Sequence, residues 1–159
     1  MVVPVDADAA IALESMSKLN TLGETFGQLE YVKAMTDVTG FGLLGHLAEM
    51  CAGSGLSAVI ELEKVPVIKS LPWYLEQGCF PGGTTRNWNS FGHKVSSLTD
   101  QQKYLLADPQ TSGGLLVAVD GKHASEFEAL LRSADLPENC CVSFGVITGA
   151  DNEFLIRVV

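Results

Sequence analysis

The chain has few basic residues for its acidic content. Its 159 residues include 10 Lys and Arg against 19 Asp and Glu, which gives a formal net charge of −9. A nucleic-acid surface needs clustered Lys and Arg, and so does attraction to an anionic membrane. We therefore expect neither a nucleic acid nor a membrane among the partners of this protein.

Long apolar runs are also missing. None approaches the roughly 20 residues that a membrane-spanning helix needs. Residues 1–6 contain no basic segment followed by an apolar stretch, so we expect no signal peptide. A hydrophobic content of 47% is typical of a packed globular chain, and the length suffices for one core. We expect a single domain over residues 1–159.

Cysteines are few and lack metal-binding spacing. None of the four forms a C-x-x-C pair, and Cys140 and Cys141 are adjacent. Neither a zinc site nor a disulfide framework follows from this spacing, and a reduced, cytoplasmic chain is the simpler expectation. His46 and Glu49 share a predicted helix face, but two ligands without a third do not make a zinc site.

Hydrophobic periodicity and turn residues predict alternating helices and strands. Helices are expected over 6–22, 39–52, 72–77, 100–107 and 123–134, and strands over 29–35, 56–62, 115–119, 142–147 and 154–159. Asp6 is a candidate cap for the first helix, 148–153 predicts a hairpin, and Gly78–Gly92 is the longest candidate functional loop. This alternation indicates an α/β or α+β domain with a mixed sheet.

The stretch Met35–Leu47 is the most informative part of the chain. It places Asp37 just before the glycines Gly40, Gly42 and Gly45. A carboxylate at a strand-to-helix turn is a natural ligand for a hard cation such as Mg²⁺, which often carries substrate phosphates. The helix N-terminus beside it favours anions. The stretch therefore predicts metal and phosphate chemistry, with Asp37 as the metal ligand.

The glycines in this stretch allow more than one interpretation. Gly40–Gly45 reads G-x-G-x-x-G with Glu61 about 20 residues on, like a dinucleotide fingerprint. However, polar residues 36–39 precede the first glycine, and Asp37 would repel a pyrophosphate unless a metal lay between them. Glycines in the first helical turns cost about 1 kcal/mol each relative to Ala. Close approach of a ligand or another backbone, or helix packing alone, would explain them.

Two further segments have both ordinary and functional interpretations. Asp108–Gly114 reads as a well-formed turn, because Asp-Pro starts turns and hydroxyls bond nearby backbone, but it could also line an active site. Phe80–Asn87 is glycine-rich with one cation, Arg86, which would bind a phosphate or form an ion pair with one of the many acids. It lacks the lysine and spacing of a Walker loop.

Taken together, three segments resemble the selenophosphate synthetase (selenide, water dikinase) family. They are Thr36–His46, Pro81–Asn87 and Asp108–Leu116, in an order and spacing similar to that family's C-terminal half. The first segment alone fits a wider superfamily that includes aminoimidazole ribonucleotide synthetase, thiamine-monophosphate kinase and a hydrogenase maturation factor. The Asp-Pro-Gln-Thr-Ser-Gly-Gly string narrows the resemblance to the selenium enzymes.

The resemblance implies an ATP-dependent phosphotransferase that makes selenophosphate, AMP and phosphate from ATP, selenide and water. It also implies a three-layer α/β/α sandwich with a mixed sheet, partly ferredoxin-like, as in the C-terminal domain of aminoimidazole ribonucleotide synthetase. In such an enzyme Asp37 would bind Mg²⁺ beside the nucleotide phosphates. Thr36, Gly40, Thr111 and Ser112 would be the cofactor-binding residues.

In the resembled family, an N-terminal domain holds most of the ATP site and a catalytic Cys or selenocysteine with a Lys, and these domains pair in a homodimer. No Cys-Gly-x-Lys-like segment is present here. We therefore expect a C-terminal fragment without the N-terminal ATP-binding domain, with no catalytic residue of its own and inactive in isolation. The alternatives are a purine- or thiamine-pathway relative of the same fold, and a non-catalytic structural or dimerisation module.

Overall fold

A computed structural model describes residues 4–134 and 136–159. The α-helices in this part are α1 (Asp6–Ser17), α2 (Leu22–Phe26), α3 (Gly42–Ser54), α4 (Leu71–Glu76), α5 (Gly82–Phe91), α6 (Asp100–Leu106) and α7 (Ala124–Ser133). The strands are β1 (Val32–Asp37), β2 (Ser57–Ile60), β3 (Leu115–Val119), β4 (Gly145–Thr148) and β5 (Ile156–Val158). Among the described residues, no helix combines the length and the apolar character that crossing a bilayer requires.

The strands form two sheets. β1 pairs with β3 in an antiparallel ribbon, with Asp37 opposite Leu115. β2 is the centre of a second sheet, antiparallel to β4 on one side and parallel to β5 on the other. The predicted α/β class with a mixed sheet is therefore confirmed, and its strands are divided between two sheets.

Helix α3 joins the two sheets and forms the centre of the core. It contacts β1 of the ribbon, β2 and β5 of the mixed sheet, and helices α5 and α6. Its residues Leu44 and Cys51 are fully buried, and they belong to one cluster with Ile60, Leu106 and Ile156. Because burial of such side chains is the main favourable term in folding, α3 holds the domain together.

The predicted hairpin between the last two strands is wrong, because β4 and β5 lie on opposite edges of β2. Asp151 turns the chain between them. Its carboxylate accepts hydrogen bonds from the Glu153 amide at 2.8 Å and from Arg157 Nε at 2.6 Å. Its own amide donates to Ser57 Oγ at 2.9 Å, which anchors the connection to β2. The backbone groups of β4 and β5 therefore pair with β2 instead of with each other, and the side chain of Asp151 stabilises the turn between them.

The expected functional loop Gly78–Gly92 is also wrong, because most of it is helix α5. Thr84, Asn87 and Phe91 are buried on one side of this helix, at spacings of three and four residues. Burial of that face outweighs the weak helix propensity of Gly, Thr and Asn.

The first predicted helix and strand have different boundaries in the structure. Helix α1 ends at Ser17, and Asp6 is its first residue instead of its cap, with Val5 at the cap position and no side-chain cap bond. The described residues of α1 include none that is buried, so little packing extends this helix further. Strand β1 begins at Val32 and continues to Asp37.

The Asp151 turn predicts a stability change with pH. Arg157, which donates to the carboxylate, and the Glu153 amide lower the pKa of Asp151 from 3.8 to about 2. A lowered carboxyl pKa contributes stability above its ordinary value, and this contribution is lost as the pH falls from about 4 to about 2. We expect Asp151→Asn to lower the urea midpoint near neutral pH and to lower it less at about pH 3.

The measurement is urea unfolding followed by circular dichroism across this pH range. Asn152→Ala, at an exposed neighbouring residue, is the matched control and should leave the midpoint nearly unchanged. A difference between Asp151→Asn and the parent that is constant with pH would contradict this account.

Candidate functional site

The candidate site is built on the connection between β1 and α3. β1 ends at Asp37, residues 38–41 turn, and α3 begins at Gly42, which confirms the predicted strand-to-helix turn. The pairing of β1 with β3 continues into this turn, because the Val38 amide donates to Gly114 O at 2.9 Å and the Gly113 amide to Val38 O at 3.1 Å. The segment before β3 therefore runs alongside the turn.

Gly42 and Gly113 are explained by close packing of another backbone, whereas Gly45 packs against the side chains of Phe41 and Phe91. Gly42 has φ +70°, and a Cβ there would lie 2.7 Å from the Ala107 carbonyl carbon and 2.8 Å from Asp108 O. A Cβ on Gly113 would overlap Val38 O. Side chains at these positions would push the turn and the 107–114 segment apart. The tight approach that the sequence required is thus between two parts of this chain.

Helix α5 brings the third segment to the same place. Asn87 Nδ2 donates to Gly40 O at 2.8 Å and to Ala107 O at 3.0 Å. Thr84 Oγ1, one turn earlier, donates to Asp108 Oδ1 at 3.3 Å. The three segments that carry the family resemblance therefore meet, and we call residues 38–42, 84–87 and 107–114 the junction.

The structure brings the predicted site residues to the edge of this junction. Asp37 is exposed, and its carboxylate makes no hydrogen bond or ion pair with the described residues. Thr36 Oγ1 donates to the Asp37 carbonyl oxygen at 3.2 Å. Thr111 is exposed and Ser112 is half-buried, and their hydroxyls bond to none of the described residues. The carbonyl oxygen of Gly40 is held by Asn87.

Asp108 is a second carboxylate in the junction, but it is engaged within the fold. It is half-buried and accepts hydrogen bonds from Thr84 Oγ1 and, at 2.7 Å, from Gln110 Nε2. Burial raises the pKa of this carboxyl group, and the two hydrogen bonds partly counter that rise. The sequence left Asp108 open between a turn residue and part of an active-site lining, and Asn87 was missed because its segment was expected to be a loop.

His46 is held by partners within the fold, and Arg86 makes no ion pair with a described residue. The buried His46 has Nε2 at 3.2 Å from Thr39 Oγ1 and Nδ1 at 3.2 Å from Glu49 Oε2, so both ring nitrogens have partners. Arg86 is exposed and forms no ion pair with a described carboxylate. Within residues 4–134 and 136–159, no group of three His, Cys, Asp or Glu side chains is arranged to hold a metal ion.

A shallow cleft of about 330 Å³ lies beside Thr36, between β1 and α3. Its walls include Met35, Met50, His46 and Glu49, and the lining contains no Lys or Arg. A phosphate in this cleft would meet no permanent positive charge. The cleft is therefore less suited to an anion than the Asp37 edge with a bound cation would be.

Comparison with known proteins identifies the family. The family described as "AIR synthase related protein, C-terminal domain" matches residues 4–157. This chain belongs to that family. The match covers β1, the junction and all of the mixed sheet except Val158. The α/β fold described above is therefore that of the family's C-terminal domain.

Named relatives narrow the comparison. The chain is 58% identical over 129 residues to the selenide, water dikinase of Pseudomonas putida, which covers 81% of this chain and 38% of that protein. It is 46% identical over 150 residues to that of Shewanella sp. strain MR-4, covering 94% and 43%. For that of Colwellia psychrerythraea the identity is 54% over 128 residues, covering 80% and 37%. The resemblance is confirmed, and the chain spans about two fifths of the length of these relatives.

The contact at Gly42 predicts that alanine substitution will have opposite effects on stability at Gly42 and at Gly53, two glycines of α3. We expect Gly42→Ala to lower the free energy of unfolding by about 2–4 kcal/mol, because it adds left-handed strain to overlap with the Ala107 backbone. Gly53→Ala is the control, since a Cβ there meets nothing within 4 Å. Gly53→Ala should raise the free energy of unfolding by about 0.5–1 kcal/mol, as expected when Ala replaces Gly in a helix. Urea unfolding measures both; equal effects would contradict the packing described for Gly42.

Proposed function

We propose that this chain is the C-terminal domain of an ATP-dependent selenide, water dikinase, which makes selenophosphate, AMP and phosphate from ATP, selenide and water. The names of the relatives support this assignment. The observation that carries the proposal for the site is the exposed Asp37 carboxylate, presented at the edge of the junction and unengaged by other described residues. Its proposed role is a ligand to Mg²⁺ beside the nucleotide phosphates.

The donor set fits a shared cation. Asp37 supplies one hard oxygen ligand, and Mg²⁺ in phosphate chemistry is commonly held by one or two carboxylates together with substrate phosphates and water. When bound, the cation would neutralise triphosphate charge and orient the phosphates. Thr36, Thr111 and Ser112 would border the phosphates through their hydroxyls, and Gly40 would leave room for them, since a Cβ there meets nothing within 4 Å.

In this proposal, the other groups that the reaction needs are supplied by further domains of a longer protein. An N-terminal domain would supply most of the ATP site and a Cys or selenocysteine nucleophile with its Lys, and two subunits would pair in a homodimer. The chain alone carries a net charge of −9, which opposes binding of free ATP. The enzyme would act in the cytoplasm.

The proposal predicts a specific loss for Asp37→Asn in the complete translation product that carries this chain. We expect selenophosphate formation, followed by phosphorus NMR, to fall about 100-fold at limiting Mg²⁺, because a metal ligand beside the phosphates is lost. The free energy of unfolding should change by less than about 0.5 kcal/mol, because the side chain is exposed and unbonded.

Glu63→Gln is the matched control for this experiment. Glu63 is exposed and makes no ion pair with a described residue, so the same loss of one negative charge should leave activity unchanged. A normal rate for Asp37→Asn at limiting Mg²⁺ would refute the metal role.

For the 159-residue chain alone, we expect no measurable ATP turnover and little or no heat on titration with Mg²⁺·ATP. One carboxylate cannot hold the cation without further ligands. ATP hydrolysis by this chain that Asp37→Ala abolishes would overturn the assignment of the nucleophile and the main ATP site to another domain.

A further inference from the structure

Asn87 connects the two parts of the candidate site. It lies in the second turn of α5 and is buried, at 9% exposure. One of its bonds goes to Gly40, three residues after Asp37, and the other to Ala107, four residues before Thr111. A single amide group thus bonds to the turn 38–41 and to the segment 107–114. We call these two segments the arms of the site.

The two bonds require a nitrogen that carries at least two hydrogens. Both partners are backbone carbonyl oxygens, which only accept, and Nδ2 carries two hydrogens, one for each. Ala107 is fully buried, so no solvent replaces the donor if the side chain is shortened. Among the described residues, Asn87 is the only one whose side chain donates to the backbone of turn 38–41.

Other bonds hold the same two arms together without Asn87. The Gln110 amide donates to Thr39 O at 3.0 Å, and the turn is paired to Gly113 and Gly114 through Val38. Because these backbone bonds remain when Asn87 is changed, the arms would stay associated while the Gly40 end of the turn is released. The expected effect is a shift in position more than a loss of the fold.

We propose that Asn87 is a positioning residue for phosphoryl transfer, which sets the Asp37 carboxylate relative to the Thr111 and Ser112 hydroxyls. This inference rests on the proposed function, since it acts through the Mg²⁺ ligand. A displacement of about 1 Å of a group that orients phosphates suffices to change reaction rates by large factors. The geometry of the junction therefore bears directly on catalysis.

The test compares Asn87→Ala with Asn89→Ala in the complete translation product. Asn89 lies on the same helix, is exposed and makes no described hydrogen bond, so it is the matched control. Two quantities are measured: the Mg²⁺ concentration for half-maximal selenophosphate formation, and that for half-maximal thermal stabilisation by a non-hydrolysable ATP analogue. We expect Asn87→Ala to raise both by about tenfold and Asn89→Ala to raise neither.

The decisive step repeats Asn87→Ala in an Asp37→Asn background. If Asn87 acts through Asp37, Asn87→Ala should not raise the Mg²⁺ requirement further in the Asp37→Asn background, because the ligand that Asn87 positions is already gone. Two results would overturn the positioning role alone: a further tenfold rise in the Mg²⁺ requirement of the double variant, or no rise in that of Asn87→Ala by itself. If Asp37→Asn itself leaves the Mg²⁺ requirement unchanged, the proposed function fails instead.

Asn87→Ser provides a second variant, with one donor in place of two. It should give a smaller rise in the Mg²⁺ requirement than Asn87→Ala. Loss of the circular dichroism signal of the folded chain in both variants would also overturn the proposal, because Asn87 would then serve stability and not position.

Discussion

The contact between the Gly42 backbone and the Ala107–Asp108 backbone is the constraint on which the rest of the site depends. It exists because Gly42 has no side chain and takes a positive φ that other residues adopt only with strain. At this distance, the turn after β1 and the segment before β3 behave as one unit. Helix α5 then closes the junction from the third side, with Gly83 packed on Pro109 and Asn87 bonded to both arms.

This arrangement separates the side chains that hold the junction from those that are presented at its edge. Asn87, Thr84 and Asp108 are satisfied by contacts inside the fold, whereas Asp37 and Thr111 project from it. An exposed carboxylate in a chain of net charge −9 gains no attraction for phosphate by itself. A cation between the two is the simplest way for such an edge to face a nucleotide, which is why the proposed function depends on Mg²⁺.

Several features of the fold and the site could be predicted from sequence because their signals are local. The period of Leu44, Leu47 and Cys51 identified α3, and the apolar run of β3 was predicted with its correct ends. Asp37 was placed correctly at a strand-to-helix turn. Helix α5 could not be predicted, since its Gly, Thr and Asn residues favour loops and its helical state depends on burial against the 107–109 segment. The terminal hairpin was wrong because β2, which lies much earlier in the chain, pairs with both β4 and β5 and separates them.

By itself, the sequence determined the residue types available for chemistry, the family to which they belong and the local turn that carries Asp37. It also required a close approach at the glycines without saying to what. Only the tertiary structure decided that the approach is to the chain's own 107–114 segment, that Asn87 bonds to both arms, and that Asp108 is engaged while Asp37 is not. These outcomes depend on contacts between residues 20 to 76 positions apart, which local propensity and spacing do not encode.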